Sequence, residues 1–214
     1  MSETQDYKHW KAHTDSDGIL WLCLDQADSG TNVLCVPVIE ELERLLDEQM
    51  SNHPPLGIVF GSAKKNGFIA GADISEFTQI EDAEHALKHI RRGQAIMDKI
   101  EALPCPTVAL IHGFCLGGGL EMALACTYRV ADDGPKTKLG LPEVQLGIHP
   151  GFGGSVRLTR LIGGPNAMDL MLTGRNVDAR RAKKMGIIDY AVPTRQLEAA
   201  AHTLIMERAP AHRP

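Results

Sequence analysis

Two glutamates and three glycine-rich segments are the parts of this 214-residue chain that could do chemistry together. Residues 112–121, HGFCLGGGLE, place three consecutive glycines, Gly117, Gly118 and Gly119, just ahead of Glu121. Such a run lets a backbone turn sharply and approach a ligand without Cβ obstruction. If a helix opens there, its free first-turn N–H groups favour negative charge. Residues 66–74, NGFIAGADI, supply Gly71 and Ala72 as a second source of an exposed N–H. Residues 139–154, LGLPEVQLGIHPGFGG, fix the backbone at Pro142 just before Glu143 and continue into a glycine-rich loop. Together these suit chemistry at a polarised thioester. Two backbone donors aimed at one oxygen stabilise an enolate-like charge, and losing one such donor typically costs about 10²–10³ in rate. Two carboxylates facing one small site can divide the proton transfers and should titrate as a coupled unit.

Each segment alone has a plainer reading. The first is a strand-to-helix turn with a Glu placed for the helix dipole, the second a loop with an N-cap at Asp73, the third a solvated helix start. A dinucleotide-binding turn is disfavoured, because G-x-x-x-G-G-G is not G-x-G-x-x-G and no acidic residue follows about 20 positions on at a strand end.

The elements that must position these residues alternate. Short apolar runs at 18–24, 56–60 and Thr107–Ile111 read as strands, with a weaker one at 128–131. Helical spacing is found over 38–50 and over 82–100, where Ala83, Ala86, Leu87, Ile90, Met97 and Ile100 form one stripe. A short apolar helix is expected at 120–126, then helices at 152–162, 165–172, Ala179–Met185 and 194–208. Pro165 suits a first helical position, and Gly174 and Gly186 suit helix ends. The pattern predicts an α/β fold in one domain, with no internal repeat.

A net charge of −5 argues against nucleic acid as a partner. No apolar run approaches the roughly 20 residues of a membrane helix, and the first residues lack a signal-peptide core. Five cysteines (Cys23, Cys35, Cys105, Cys115, Cys126) form no C-x-x-C pair and are odd in number, which favours reduced thiols and a cytoplasmic protein. His85 and His89 have the i, i+4 spacing of a metal pair but no third ligand in a recognised pattern, so a solvated face is expected and no metal. His112 and His149 flank the glycine motifs. Lys64 and Lys65 precede the Ala72 loop and could meet phosphates. There is no G-x-S-x-G elbow for a hydrolase.

HGFCLGGGLEMALA, FIAGADI and LGLPEVQLGIHPGFGG, in that order, closely resemble the crotonase (enoyl-CoA hydratase/isomerase) family, over residues 18–208 or so. PKTKLGLPEVQLG and PGFGGSVRLTRLIG look most like the N-terminal part of bacterial fatty-acid oxidation complex α subunits. The resemblance implies the crotonase spiral of ββα units, with two roughly perpendicular sheets and helices around them. It implies Ala72 and Gly118 as oxyanion-hole donors, Glu121 as the group that mainly activates water, and Glu143 as the acid that mainly protonates Cα. Ala70, Gly71, Asp73, Ile74, Gly117, Pro142 and Gly151 are the further substrate-binding positions it implies. Both acids being present favours enoyl-CoA hydration in fatty-acid β-oxidation over Δ3-Δ2 isomerisation; a non-catalytic acyl-CoA-binding module is the reading from another class. No cofactor is implied beyond the coenzyme A of the substrate. The partners implied are a homo-oligomer or, in a longer protein, a thiolase β subunit. Leu141 departs from the family, which often carries a polar residue two positions before the second glutamate. On this resemblance residues 1–214 form a single domain expected to stop before the C-terminal helices and any dehydrogenase region.

Overall fold

A computed structural model describes residues 7–52, 54–77 and 81–207. An antiparallel pair, β1 (Trp10–Thr14) and β2 (Ile19–Leu24), is followed by α1 (Val36–Asn52) and β3 (Gly57–Ser62). Then come β4 (Gly67–Ile69), the single turn α2 (Ile74–Phe77) and the long α3 (Ala83–Glu101). Next are β5 (Thr107–Ile111), β6 (Phe114–Leu116), α4 (Gly118–Ala125), β7 (Tyr128–Asp132), β8 (Lys138–Gly140) and a 3₁₀ turn at Glu143–Leu146. The described chain closes with α5 (Gly154–Ile162), α6 (Gly164–Thr173), β9 (Val177–Asp178), α7 (Ala179–Met185), β10 (Tyr190–Val192), a 3₁₀ turn at Thr194–Gln196 and α8 (Leu197–Glu207).

One sheet has the order β1-β2-β3-β5-β7-β10, the other β4-β6-β8-β9. A strand of the large sheet is followed each time by a short strand of the small one: β3 by β4, β5 by β6, β7 by β8. Within each of these two sets the strands run parallel to one another. This is the ββα spiral, and it has one consequence for chemistry. Because β4, β6 and β8 are adjacent and parallel, their carboxyl ends open on the same side, and the chain leaves them through Gly71–Ala72, Gly117–Gly118 and Pro142–Glu143. Carboxyl ends of parallel strands are where such sheets bind ligands.

The large sheet is buried on both faces because its side chains alternate. Leu20, Leu22, Leu24, Ile58 and Phe60 pack with Leu42, Leu45 and Leu46 of α1 and with Ile96, Met97 and Ile100 of α3. On the other face Ile19, Val59, Val108 and Val130 meet Leu197, Ala201, Leu204 and Ile205 of α8. Cys35, Cys105, Cys115 and Cys126 are buried as small core residues, and Cys23 is half-buried.

Four expectations need correction. The segment 66–74 is not only a loop, since Gly67–Ile69 is a strand, and β6 lies hidden inside the glycine motif. Helix α5 starts at Gly154 rather than 152, because Gly153 adopts φ 100° and breaks the turn before it. The last helix begins at Leu197 after a 3₁₀ turn, and residue 208 lies outside the described residues. In α3 only Gly93, Ile96, Met97 and Ile100 are buried; Leu87 and Ile90 are exposed, with Ile90 beside Gly151.

Candidate active site

Gly117 sets the geometry where β6 meets α4. Its φ of +50° and ψ of −128° suit glycine, and its N–H donates to the Gly140 carbonyl (2.9 Å), tying the ends of β6 and β8 together. Gly118 then opens α4. The first intrahelical bond of this turn runs from Glu121 N–H to Gly117 O (3.0 Å), so the Gly118 N–H has no acceptor in its own helix.

The second N–H is aimed by strand pairing. Residues 32–34 run beside 70–73: Ala70 N–H donates to Asn32 O (2.9 Å), Leu34 N–H to Gly71 O (2.8 Å) and Asp73 N–H to Leu34 O (3.0 Å). In this parallel bridge Leu34 bonds the two neighbours of Ala72, so Ala72 turns its own N–H to the opposite side. That side holds Gly118, where an added methyl would lie 3.3 Å from Ala72 N. The paired segment is itself pinned by Asn32, fully buried, whose amide donates to Leu24 O (2.9 Å), Ser62 Oγ (2.9 Å) and Phe68 O (3.2 Å) and accepts from Gln26 N–H (3.0 Å).

Glu121, in the first turn of α4, is buried, and its Oε1 accepts the N–H groups of Phe152 and Gly154, each at 2.8 Å. Gly154 is the first residue of α5, so the carboxyl sits at that helix's N-terminus. Room exists because residue 154 is glycine: a methyl there would lie 2.7 Å from Glu121 Cγ. Burial pushes the Glu121 carboxyl up to about 7 and the charge of Glu143 adds to this, against the Gly154 and Phe152 N–H groups and Arg157, which pull it down.

Glu143 is held differently. It opens the 3₁₀ turn after Pro142, and its Oε1 would lie 3.0 Å from a methyl placed on Gly117. Its Oε2 is buried and has no hydrogen-bond partner among the described residues. Leu141 is apolar and buried, so the position two before it supplies no side-chain bond. Burial raises the Glu143 pKa, opposed by its own backbone N–H and by His149. A buried acceptor left open invites a ligand or water. Leu34 and Phe152 flank Gly118 as apolar walls, each 3.4 Å from a methyl placed there.

The structure therefore brings Gly71, Ala72, Gly117, Gly118, Glu121, Pro142 and Glu143 to one place. Asp73 caps α2, accepting from Ser75 N–H (2.9 Å) and Ser75 Oγ (2.7 Å), and Ile74 is exposed beside it. Ala70 has its N–H committed to Asn32, and Gly151 has its carbonyl committed to Gln94 Nε2 (2.9 Å). Lys64 is already paired with Asp25 (2.8 Å) and Gln26 O (2.9 Å), which leaves exposed Lys65 as the freer cation of the two. His112 Nε2 donates to Lys64 O (2.8 Å), and His149 Nδ1 lies 3.1 Å from Pro150 O. His85 and His89 bond each other through Nε2 at 3.0 Å on α3. Asn32 and the Phe152 and Gly154 N–H groups join the site without having been expected there; within the sequence only PGFGG points towards the latter two.

No helix among the described residues is long and apolar enough to cross a membrane. The sequence pattern of the family described as Enoyl-CoA hydratase/isomerase matches residues 15–213. The crystal structure of enoyl-CoA hydratase from Bacillus anthracis is similar, with TM-score 0.85, 32% identity, and coverage of 93% of this chain and 76% of that one. An enoyl-CoA hydratase from Geobacillus kaustophilus HTA426 matches with TM-score 0.87 and 29% identity, over 94% of this chain and 76% of the other. Pseudomonas aeruginosa DspI, at 24% identity and TM-score 0.86 over 98% of this chain and 79% of its own, shares the fold. The chain thus spans about three quarters of the length of these proteins.

Proposed function

This chain belongs to the enoyl-CoA hydratase/isomerase family, and from that premise we propose that it adds water reversibly to trans-2-enoyl-CoA, giving 3-hydroxyacyl-CoA. In this reading the thioester oxygen accepts the Ala72 and Gly118 N–H groups, which polarises the conjugated double bond. Glu121, as carboxylate, takes one proton of a water while its oxygen bonds to Cβ. Glu143, as acid, gives a proton to Cα as the enolate collapses. Hydroxide and proton together add one water, and the two carboxyls exchange a proton to reset. No redox step is involved. The same reading puts the chain in fatty-acid β-oxidation.

The observation that carries it is the delivery of Ala72, Gly118 and Glu143 by three adjacent parallel strand ends, with Glu121 in the first turn of the helix that Gly118 opens. Burial raises the proton affinity of both carboxyls, Glu121 to about 7, which supports a role for each in proton transfer. A second reading, Δ3-Δ2 isomerisation, is favoured by the open Oε2 of Glu143, since one carboxyl can move a proton along the acyl chain without an attacking water. Turnover of 2-enoyl-CoA and of 3-enoyl-CoA is measured side by side. Hydration of the 2-enoyl substrate is the expected dominant activity. Acyl-CoA binding with neither turnover would reduce this chain to a binding module.

A further inference from the structure

Glu121 owes its orientation to the turn 151–154, and that turn is gripped by α3. Arg157, in α5, has a side chain only 9% exposed. Its Nη1 donates to Phe152 O (3.1 Å), its Nε to Glu101 Oε2 (3.0 Å), and its Nη2 to Asp98 Oδ1 (2.6 Å) and Glu101 Oε2 (2.7 Å). Two more contacts come from the same helix: Gln94 donates to Gly151 O, and the Phe152 ring lies on Gly93, where a methyl would come within 2.2 Å of it. Residue 152 is thus held by its carbonyl and its ring while its N–H holds Glu121 Oε1.

We propose that Arg157 is a positioning residue for Glu121, clamping the 151–154 turn to α3 so that the Phe152 and Gly154 N–H groups meet one carboxyl oxygen and leave the other aimed at the substrate. The proposal rests on reading Glu121 as the group that activates water. A plain surface ion pair is the competing account. Asp98 and Glu101 are 73% and 54% exposed, so their Coulomb attraction to Arg157 is weak in water. The guanidinium itself is buried and forks between two helix acids and a backbone carbonyl, which is a geometric task that suits arginine.

Arg157 also acts through charge. The groups facing Glu121 are Glu143 from the 3₁₀ turn, which raises its proton affinity, and Arg157 from α5, which lowers it. From α3, Asp98 and Glu101 face Arg157 rather than Glu121. Arg129 of β7 is committed to Ala123 O and Cys126 O at the far end of α4 and to Asp189, and His149 bears on Glu143. Removing Arg157 should both loosen Glu121 and make it bind its proton more tightly.

The test compares Arg157→Met and Arg157→Lys by carbon-13 titration of the Glu121 carboxyl, assigned with Glu121→Gln, and by kcat and KM across pH. In Arg157→Met the titration should move up by about half a unit or more. Its kcat at neutral pH should fall on the order of 10- to 100-fold with KM little changed. Arg157→Lys should bring the titration back without the full kcat, because one ammonium cannot reach all three acceptors in a fork. Wild-type titration and kcat in Arg157→Met overturn the proposal. If that variant does not fold, a folded Arg157→Lys with wild-type kcat overturns it equally. Full hydration by Glu121→Gln, with the titration still moved by Arg157→Met, would instead sink the reading of Glu121 as base and leave the positioning intact.

Discussion

Glu121 and Glu143 share a site but are held in opposite ways: Glu121 Oε1 accepts two backbone N–H groups at 2.8 Å, while the buried Oε2 of Glu143 accepts none among the described residues. A carboxyl fixed by two N–H groups keeps its second oxygen in a defined direction, which suits orienting a water. A carboxyl with an open buried oxygen is poised to hold and release a proton.

The first prediction concerns removing either acid. In Glu121→Gln the amide oxygen can still accept both N–H groups, so fold and acyl-CoA binding should persist. In Glu143→Gln no existing side-chain bond is lost among the described residues. Each variant should lose hydration by about 10²–10⁴ or more, with the dissociation constant for an unreactive acyl-CoA analogue changed little. Near-wild-type turnover in either variant removes that residue from the mechanism.

The second concerns pH. Glu121 is raised from an ordinary value of 4.5 to about 7 in the folded protein, so its neutral form is the one the fold favours. Its contribution to stability is therefore fully present below 4.5 and is lost as pH rises through about 7. Glu121→Gln should be more stable than wild type at pH well above 7, and the gain should vanish towards 4.5. Denaturant midpoints of both proteins across pH check this, and a pH-independent difference would contradict it. Catalysis should run the other way. The rate should rise through about 7 as Glu121 ionises.

The third concerns Asn32. Its amide bonds Leu24, Ser62, Phe68 and Gln26, and its carbonyl takes the Ala70 N–H. Asn32→Ala leaves several buried polar groups unpaired, at about 1–3 kcal/mol for each group left unsatisfied. It also frees the segment whose pairing turns Ala72 N–H towards the site. Stability should fall by at least about 2 kcal/mol. In protein that remains folded, kcat should fall by about 10²-fold, as for loss of one oxyanion donor. Lost stability with unchanged kcat would make Asn32 a core residue and nothing more.

Asn32 also shows what a sequence can and cannot disclose here. Gly71–Ala72, Gly117–Gly118 and Glu121, and Pro142–Glu143 were legible because each sits in a contiguous motif whose residue types have a local physical reason to occur together. The strands at 18–24, 56–60 and 107–111 were legible as apolar runs, and α3 from its helical spacing. The strands β4, β6 and β8 were not, because three residues carry no period and their pairing partners lie far away in the chain. A lone Asn in a polar loop gives no signal that its amide will bridge strands 8 and 36 residues away. Arg157 was equally silent, since its acids lie 56 and 59 residues earlier on α3. Local chemistry could be read; its aim depends on contacts made only in the fold.

The fourth prediction tests aim without altering any charge. Gly154 lies in the first turn of α5 with its N–H on Glu121 Oε1, and a methyl on it would sit 2.7 Å from Glu121 Cγ and 2.9 Å from Oε1. Cγ is close to the backbone, so the carboxyl cannot swing clear without losing the bonds that hold it. Gly154→Ala should cost about 1–3 kcal/mol for overpacking at a buried position. Helix α5 itself gains from alanine, which offsets part of that cost. The displaced carboxyl should lower kcat by about 10²-fold while KM stays near its wild-type value, because acyl-CoA binding does not depend on where Glu121 points. A rise in KM at constant kcat would mean that the methyl blocks substrate instead. Unchanged values of both would mean that the turn yields freely and does not fix Glu121.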